Sequence, residues 1–182
     1  MSHVPDRTTD SVWVTHAGWT EVLKGELAGF VGAGGRLHYD KITELDLSGY
    51  PVRSLEPLLQ MRALEVVHIS GTQVTDLSPL ATLPRLQELH ATFCKLNLMK
   101  GWEGLTGLRV LDISYPVDPP ADLTWVPQLH LHEFYCNACE LSSPEILMQL
   151  GRLEVLSLHF NPIPKHKLIQ LARALPQCHI LC

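Results

Sequence analysis

The sequence predicts an α/β solenoid in which about seven short parallel strands stack into one curved sheet. Three observations predict it. The stretch Leu153-Glu154-Val155-Leu156-Ser157-Leu158-His159-Phe160-Asn161-Pro162-Ile163 carries apolar residues at its first, fourth, sixth and eleventh positions and asparagine at its ninth. That spacing suits a short strand followed by a turn that sends further side chains into the same core. The pattern also recurs at a nearly fixed step. Copies begin at Ile42, Leu64, Leu86, Leu108, Leu131, Leu153 and Leu175, 22 residues apart except for 23 between Leu108 and Leu131. Finally, the fourth and sixth positions of each copy are small or apolar, from Leu45 and Leu47 in the first to Cys178 and Ile180 in the last. The expected strand middles are therefore Leu45, Val67, Leu89, Leu111, Phe134, Leu156 and Cys178.

With its L-x-x-L-x-L-x-x-N-x-I core, the chain resembles the leucine-rich repeat family from Ile42 to Cys182. The match is to the short class of about 22 residues per repeat, which includes internalins and a regulatory subunit of protein phosphatase. The resemblance implies short 3₁₀ or helical segments on the convex side. It speaks to fold more than to function, because core residues define the family.

Taken in order, Met1 to Asp10 are polar and are expected to be disordered. Residues 11–41 should form an N-terminal cap. Its helix should run from about Glu21 to Val31, where Val22, Leu23, Leu27, Phe30 and Val31 make an apolar stripe. The glycines Gly32, Gly34 and Gly35 should end it. Trp13, Trp19 and Phe30 would plug the open end of the core, since a solenoid exposes its interior at each terminus. The repeat domain then occupies residues 42–182. Pro116 and Asp118 replace the usual ninth and eleventh residues of the fourth copy, so its turn should be distorted. The last two units should be more helical. Ser143 and Pro144 offer an N-cap and first-turn proline before Ile146, and Lys165 to Leu175 has helical apolar spacing. The final strand, with no capping segment after it, offers an edge for self-association.

Charge and cysteine usage narrow the function classes. The chain has 182 residues and a net charge of -5, which disfavours binding to nucleic acid phosphates. No apolar run reaches membrane-spanning length, and Met1 to Asp10 contain no apolar signal stretch, so a cytoplasmic location with no membrane partner is expected. Cys94, Cys136, Cys139 and Cys178 all fall on inward positions. The C-x-x-C formed by Cys136 and Cys139 has no second pair to complete a zinc site. These cysteines read as small core residues in a reducing compartment.

If the fourth and sixth positions point inward, the third, fifth and seventh face the concave side. These columns hold Glu44, Glu88 and Glu133, then Asp46, His68, His90, Asp112 and Tyr135, with no lysine or arginine. The eighth position adds Phe93, Tyr115 and Phe160. Carboxylates in a concavity reinforce one another's field and attract a basic partner, and aromatics anchor interfaces. The expected function is thus a non-enzymatic protein-interaction module. Its binding site would comprise Glu88, His90, Phe93, Asp112, Tyr115, Glu133, Tyr135 and Phe160. An adaptor, a regulatory subunit and a bacterial effector-type interaction protein all fit. A metal-binding surface is the alternative, with Asp46, His68, His90 and Asp112 on consecutive rungs of one column. A hydrolase built on Ser70 or Ser114 with His90 and Asp112 lacks a nucleophile elbow and a sheltered pocket. No cofactor is expected.

Overall fold

The computed structural model describes Trp19, Val22 and residues 25–31, 38–120 and 122–182. Seven strands of three residues each form one parallel sheet, ordered as they occur in the chain. They are β1 (Glu44–Asp46), β2 (Val66–His68), β3 (Glu88–His90), β4 (Val110–Asp112), β5 (Glu133–Tyr135), β6 (Val155–Ser157) and β7 (His179–Leu181). From β1 to β6 the register joins equivalent residues of successive copies: Leu45 to Val67, Val67 to Leu89, Leu89 to Leu111, Leu111 to Phe134 and Phe134 to Leu156. The expected strand middles hold for these six.

The seventh does not. Leu156 pairs with Ile180, not Cys178, so the last step is two residues longer than the repeat predicts. The reason is the element that precedes it. Helix α1 (Lys165–Ala174) carries the chain back along the convex side. A helix advances only about 1.5 Å per residue, so it uses more chain than the tighter connections elsewhere. His179 and Leu181, rather than Gln177 and His179, therefore continue the outward columns.

Those other connections are 3₁₀ turns, including Glu56–Gln60, Leu80–Thr82, Val126–Gln128 and Glu145–Gln149. The last corrects the helix expected after Ser143. Pro144, not Ser143, occupies its cap, and the Ser143 hydroxyl instead accepts a hydrogen bond from the Lys167 ammonium. Of the apolar residues expected along this segment, Leu171 in α1 and Leu175 just after it are buried, Leu168 is half-buried and Ala172 is exposed.

The core is one continuous column of Leu, Val, Ile and Met, with Phe134 and Trp19 among its largest fully buried side chains. Trp19, Val22 and Leu27 close its N-terminal end, and the Trp19 indole donates to the Ser54 carbonyl at 2.8 Å. The helix expected from Glu21 to Val31 is corrected here: Val22 is helical, but the chain has passed into turns by Gly25 and forms a 3₁₀ turn at Ala28–Phe30. Met1 to Asp10, Trp13, the glycines Gly32, Gly34 and Gly35 and the Phe30 side chain lie outside the described residues.

Ninth-position side chains lock successive repeats together. A parallel turn leaves strand-end carbonyls pointing inward, and each must find a donor. Thr72 Oγ1 and Cys94 Sγ both donate to the Ile69 carbonyl, at 2.7 and 3.2 Å. Asn161 does more. Its Nδ2 donates to the carbonyls of Cys136 at 2.6 Å and Leu158 at 3.0 Å, while its Oδ1 accepts from the N–H groups of Cys139 and Leu141. Pro116 has no side-chain donor to offer in the fourth repeat. Beyond it the chain forms a parallel bridge between Asp118 and Lys95 of the preceding repeat, and the Cys139 thiol of the next repeat lies 3.6 Å from the Ile113 carbonyl, the same contact that Cys94 makes with Ile69.

Gly101 marks the tightest approach on the convex side. Its φ is +90°, and a Cβ there would sit 2.8 Å from the Ser78 nitrogen and 3.0 Å from its hydroxyl. Gly101→Ala is therefore expected to cost about 1–3 kcal/mol, from backbone strain and the clash together. Denaturant titration checks this; an unchanged midpoint would show that the two turns can separate freely.

Candidate protein-interaction surface

The sheet positions the outward side chains in two tiers. The first runs across the strands. The register places Asp46, His68, His90, Asp112 and Tyr135 side by side. The His68 and His90 rings stack with centroids 4.5 Å apart and planes 9° from parallel. His68 Nε2 lies 3.4 Å from a Glu44 oxygen, and His90 Nε2 lies 3.9 Å from one of Glu88. Burial would raise the Asp46 carboxyl. It is nevertheless held below its ordinary value by hydrogen bonds from Ser48 and by the two nearby imidazoles.

Tyr135 is tied down rather than free. Its hydroxyl donates to Glu133 at 2.6 Å. That bond, with partial burial and the negative fields of Glu133, Asp112 and Glu88, pushes the phenol up to about 12. Three strands thus contribute carboxylates to one negative field. Tyr135 and Glu133 act as a pair, and Tyr135 is a half-buried member of the face, not a protruding anchor.

The second tier lies three residues further along, at the C-terminal rim of the strands. Here Phe93, Tyr115 and Phe160 are 58%, 40% and 79% exposed. Phe93 and Tyr115 stack at 5.6 Å, and Tyr115 meets Phe160 at 6.4 Å. Between the tiers a polar network finishes the strand ends. Ser114 is buried, and its oxygen accepts from both the backbone and side-chain nitrogens of Asn137. Asn137 Oδ1 in turn accepts from the Ser157 hydroxyl and the His159 N–H.

The residues of two of the sequence readings are not brought together in this geometry. Ser114 accepts from Asn137, Ser70 is bonded to the backbone of His90 and Thr92, and Asp112 accepts from the Ser114 N–H rather than orienting His90. The metal candidates Asp46, His68, His90 and Asp112 share a column but do not converge. Imidazole lone pairs lie in the ring plane, and stacked parallel rings cannot aim them at one ion. Among the described residues, no group of three or more His, Cys, Asp and Glu is placed to hold a metal. Stoichiometric Zn²⁺ is accordingly expected to leave the melting temperature unchanged, whereas a rise abolished by His68→Ala would restore the metal reading.

Cys136 and Cys139 are buried, and the Cys136 thiol is pushed well upward by its contact with Cys139 and by burial. Such a thiol is a poor nucleophile. All five cysteines are free.

The repeat, the sheet and the inward ladder define the class: the chain is a leucine-rich repeat protein. Its fold is similar to that of internalin C2 from Listeria monocytogenes, with TM-score 0.61, 27% identity and coverage of 78% of this chain and 61% of that one. A leucine-rich repeat protein of Leptospira interrogans matches with TM-score 0.60 and 26% identity, over 75% of this chain and 36% of that one. A second Listeria monocytogenes internalin, inlF, matches the fold across 99% of this chain and 59% of its own, with TM-score 0.65 and 18% identity. The chain thus spans between 36% and 61% of the length of these proteins. No protein-family model matches the sequence, and no curated relative is found.

One feature of the surface escaped sequence reasoning. The eighth position is left-handed in each of the first six repeats, at Gly49, Gly71, Phe93, Tyr115, Ala138 and Phe160. The glycines of the first two repeats were the available signal, since glycine favours that conformation.

Proposed function

We propose that the chain is a non-enzymatic protein-interaction module that binds a basic partner on its concave face. One observation carries this reading. The outward positions of the sheet bring together the carboxylates of Glu44, Asp46, Glu88, Asp112 and Glu133 with three exposed aromatics, and no lysine or arginine interrupts them. Such a surface steers a positively charged partner by its field and anchors it by its rings. The coarser statement, that the fold is one typically used for protein interaction, follows from the solenoid itself.

We propose a cytoplasmic setting, which the free thiols of all five cysteines suit. Among the described residues no helix is long and apolar enough to cross a membrane. An effector-type or regulatory-subunit role fits the same surface.

The test uses a partner captured by affinity purification, with binding measured by calorimetry. The double variant Phe93→Ala, Asp112→Asn should keep its stability within about 0.5 kcal/mol, because Phe93 faces outward and the asparagine oxygen can still accept from the Ser114 N–H. Its affinity should fall by about 2 kcal/mol or more, mostly through the aromatic. Removing the carboxylate should chiefly slow association and flatten its salt dependence. A folded variant that binds like the parent would move the interface off the concave face.

A further inference from the structure

The aromatic rim carries more than a general affinity for basic proteins. Left-handed backbone suits glycine, and a side chain there costs on the order of 1 kcal/mol. The first two repeats take the unstrained choice, with Gly49 at φ +74° and Gly71 at +68°. The third, fourth and sixth repeats instead place Phe93, Tyr115 and Phe160 at φ between +54° and +60°. Burial does not offset that strain, since Phe160 is 79% exposed and Phe93 58%. The fold is served by glycine at this position, so the rings answer to something outside the fold. Strain held at an exposed site points to function.

The fifth repeat breaks the row. Ala138 stands between Tyr115 and Phe160 in the same left-handed conformation, with φ +54°. Strands are spaced about 4.8 Å apart, so side chains two repeats apart start about 10 Å from one another. Yet the Tyr115 and Phe160 rings meet at 6.4 Å with planes 45° apart. They therefore lean toward each other across the alanine position until they touch, and a group enters the notch between them only by parting them. A flat group in contact with both walls needs about 7–8 Å between them, so the rings must part by about 1 Å and turn toward parallel. Tyr115 stacks on Phe93 behind it, which makes one wall firm.

Charge selects the occupant. Asp112 lies three residues before Tyr115, and Glu133 lies on the intervening strand β5, as Ala138's repeat requires. The combined field of these carboxylates is already felt at the Tyr135 hydroxyl. An apolar plug would leave that field unmatched. An ammonium would answer the charge but not the flat shape. A guanidinium is planar, positive and weakly hydrated, and it stacks on aromatic faces while pairing with carboxylates.

We propose that the notch over Ala138, walled by Tyr115 and Phe160, receives the guanidinium of an arginine carried on an extended segment of the partner protein. This rests on the concave-face reading above and adds the chemistry of the residue recognised.

The experiment compares hexa-arginine with hexa-lysine, equal in length and charge, by NMR titration of the full chain. The arginine peptide should shift the Tyr115 and Phe160 ring signals and the Ala138 methyl. It should half-saturate at roughly tenfold lower concentration than the lysine peptide, as a stacking contribution to a desolvated cation would give. Phe160→Ala should abolish that preference and leave lysine-level binding. Ala138→Phe should do the same by filling the notch, and the fold already accepts aromatics in this conformation. If both peptides bind alike and shift only Glu88, Glu133 and their neighbours, the notch proposal is overturned while the acidic-face reading stands. If neither binds, both fall.

Discussion

Replacing Phe134 with alanine is expected to lower the free energy of unfolding by about 3–5 kcal/mol, the largest single effect anticipated for this protein. Phe134 is fully buried at the centre of β5, between Leu111 of β4 and Leu156 of β6. Its loss removes apolar contact on both sides at once. The neighbouring repeats cannot close the void without breaking the strand spacing that hydrogen bonding fixes. Phe134→Leu should recover most of the loss, because it restores volume without polarity. Urea denaturation followed by circular dichroism reads both values. A loss below half a kcal/mol in the alanine variant would mean that the inward ladder is wrongly assigned.

Asn161→Ala should rank next, at about 2–4 kcal/mol. The amide joins the Cys136 and Leu158 carbonyls to the Cys139 and Leu141 N–H groups, and alanine strands them in a poorly hydrated turn. Asn161→Asp separates the two halves of that role. The carboxylate can still accept from the two N–H groups, but it sets an oxygen against the Cys136 carbonyl where the amide now donates at 2.6 Å. It should therefore also destabilise, and less so in acid, where the protonated carboxyl can donate. Equal stability of the aspartate variant at neutral pH would show that the accepting half alone matters.

The fold was legible because a solenoid repeats its constraints. Each inward position is buried by an equivalent residue above and below, so Leu45, Val67, Leu89, Leu111 and Leu156 announce one another in the sequence. Legibility ended where a local element changed the amount of chain consumed. The ten residues of α1 shifted the last strand from Cys178 to Ile180, and apolar spacing alone could not measure that length. A similar limit applied at Pro144, where a proline and an acidic first turn suit both an α-helix and the 3₁₀ turn that forms.

The surface was legible as two lists of residues, not as an arrangement. Strand alternation placed Glu88, His90, Asp112, Glu133 and Tyr135 outward. It could not reveal that Tyr135 bonds to Glu133 or that His68 and His90 stack, because side-chain torsions decide those contacts. Nor could it show that Ala138 belongs with the rim aromatics, since an alanine draws attention only once its backbone conformation is known.

The unbroken strand order from β1 to β7 has a consequence for how the molecule comes into being. Every strand's partners are its nearest predecessors and successors along the polypeptide, about one repeat away. No pairing has to wait for distant segments to find each other, so the entropic toll of loop closure stays small and much the same at each step. Ordering can start at any neighbouring pair and spread both ways. During synthesis, each newly emerged unit would find its docking surface already made by the one before it.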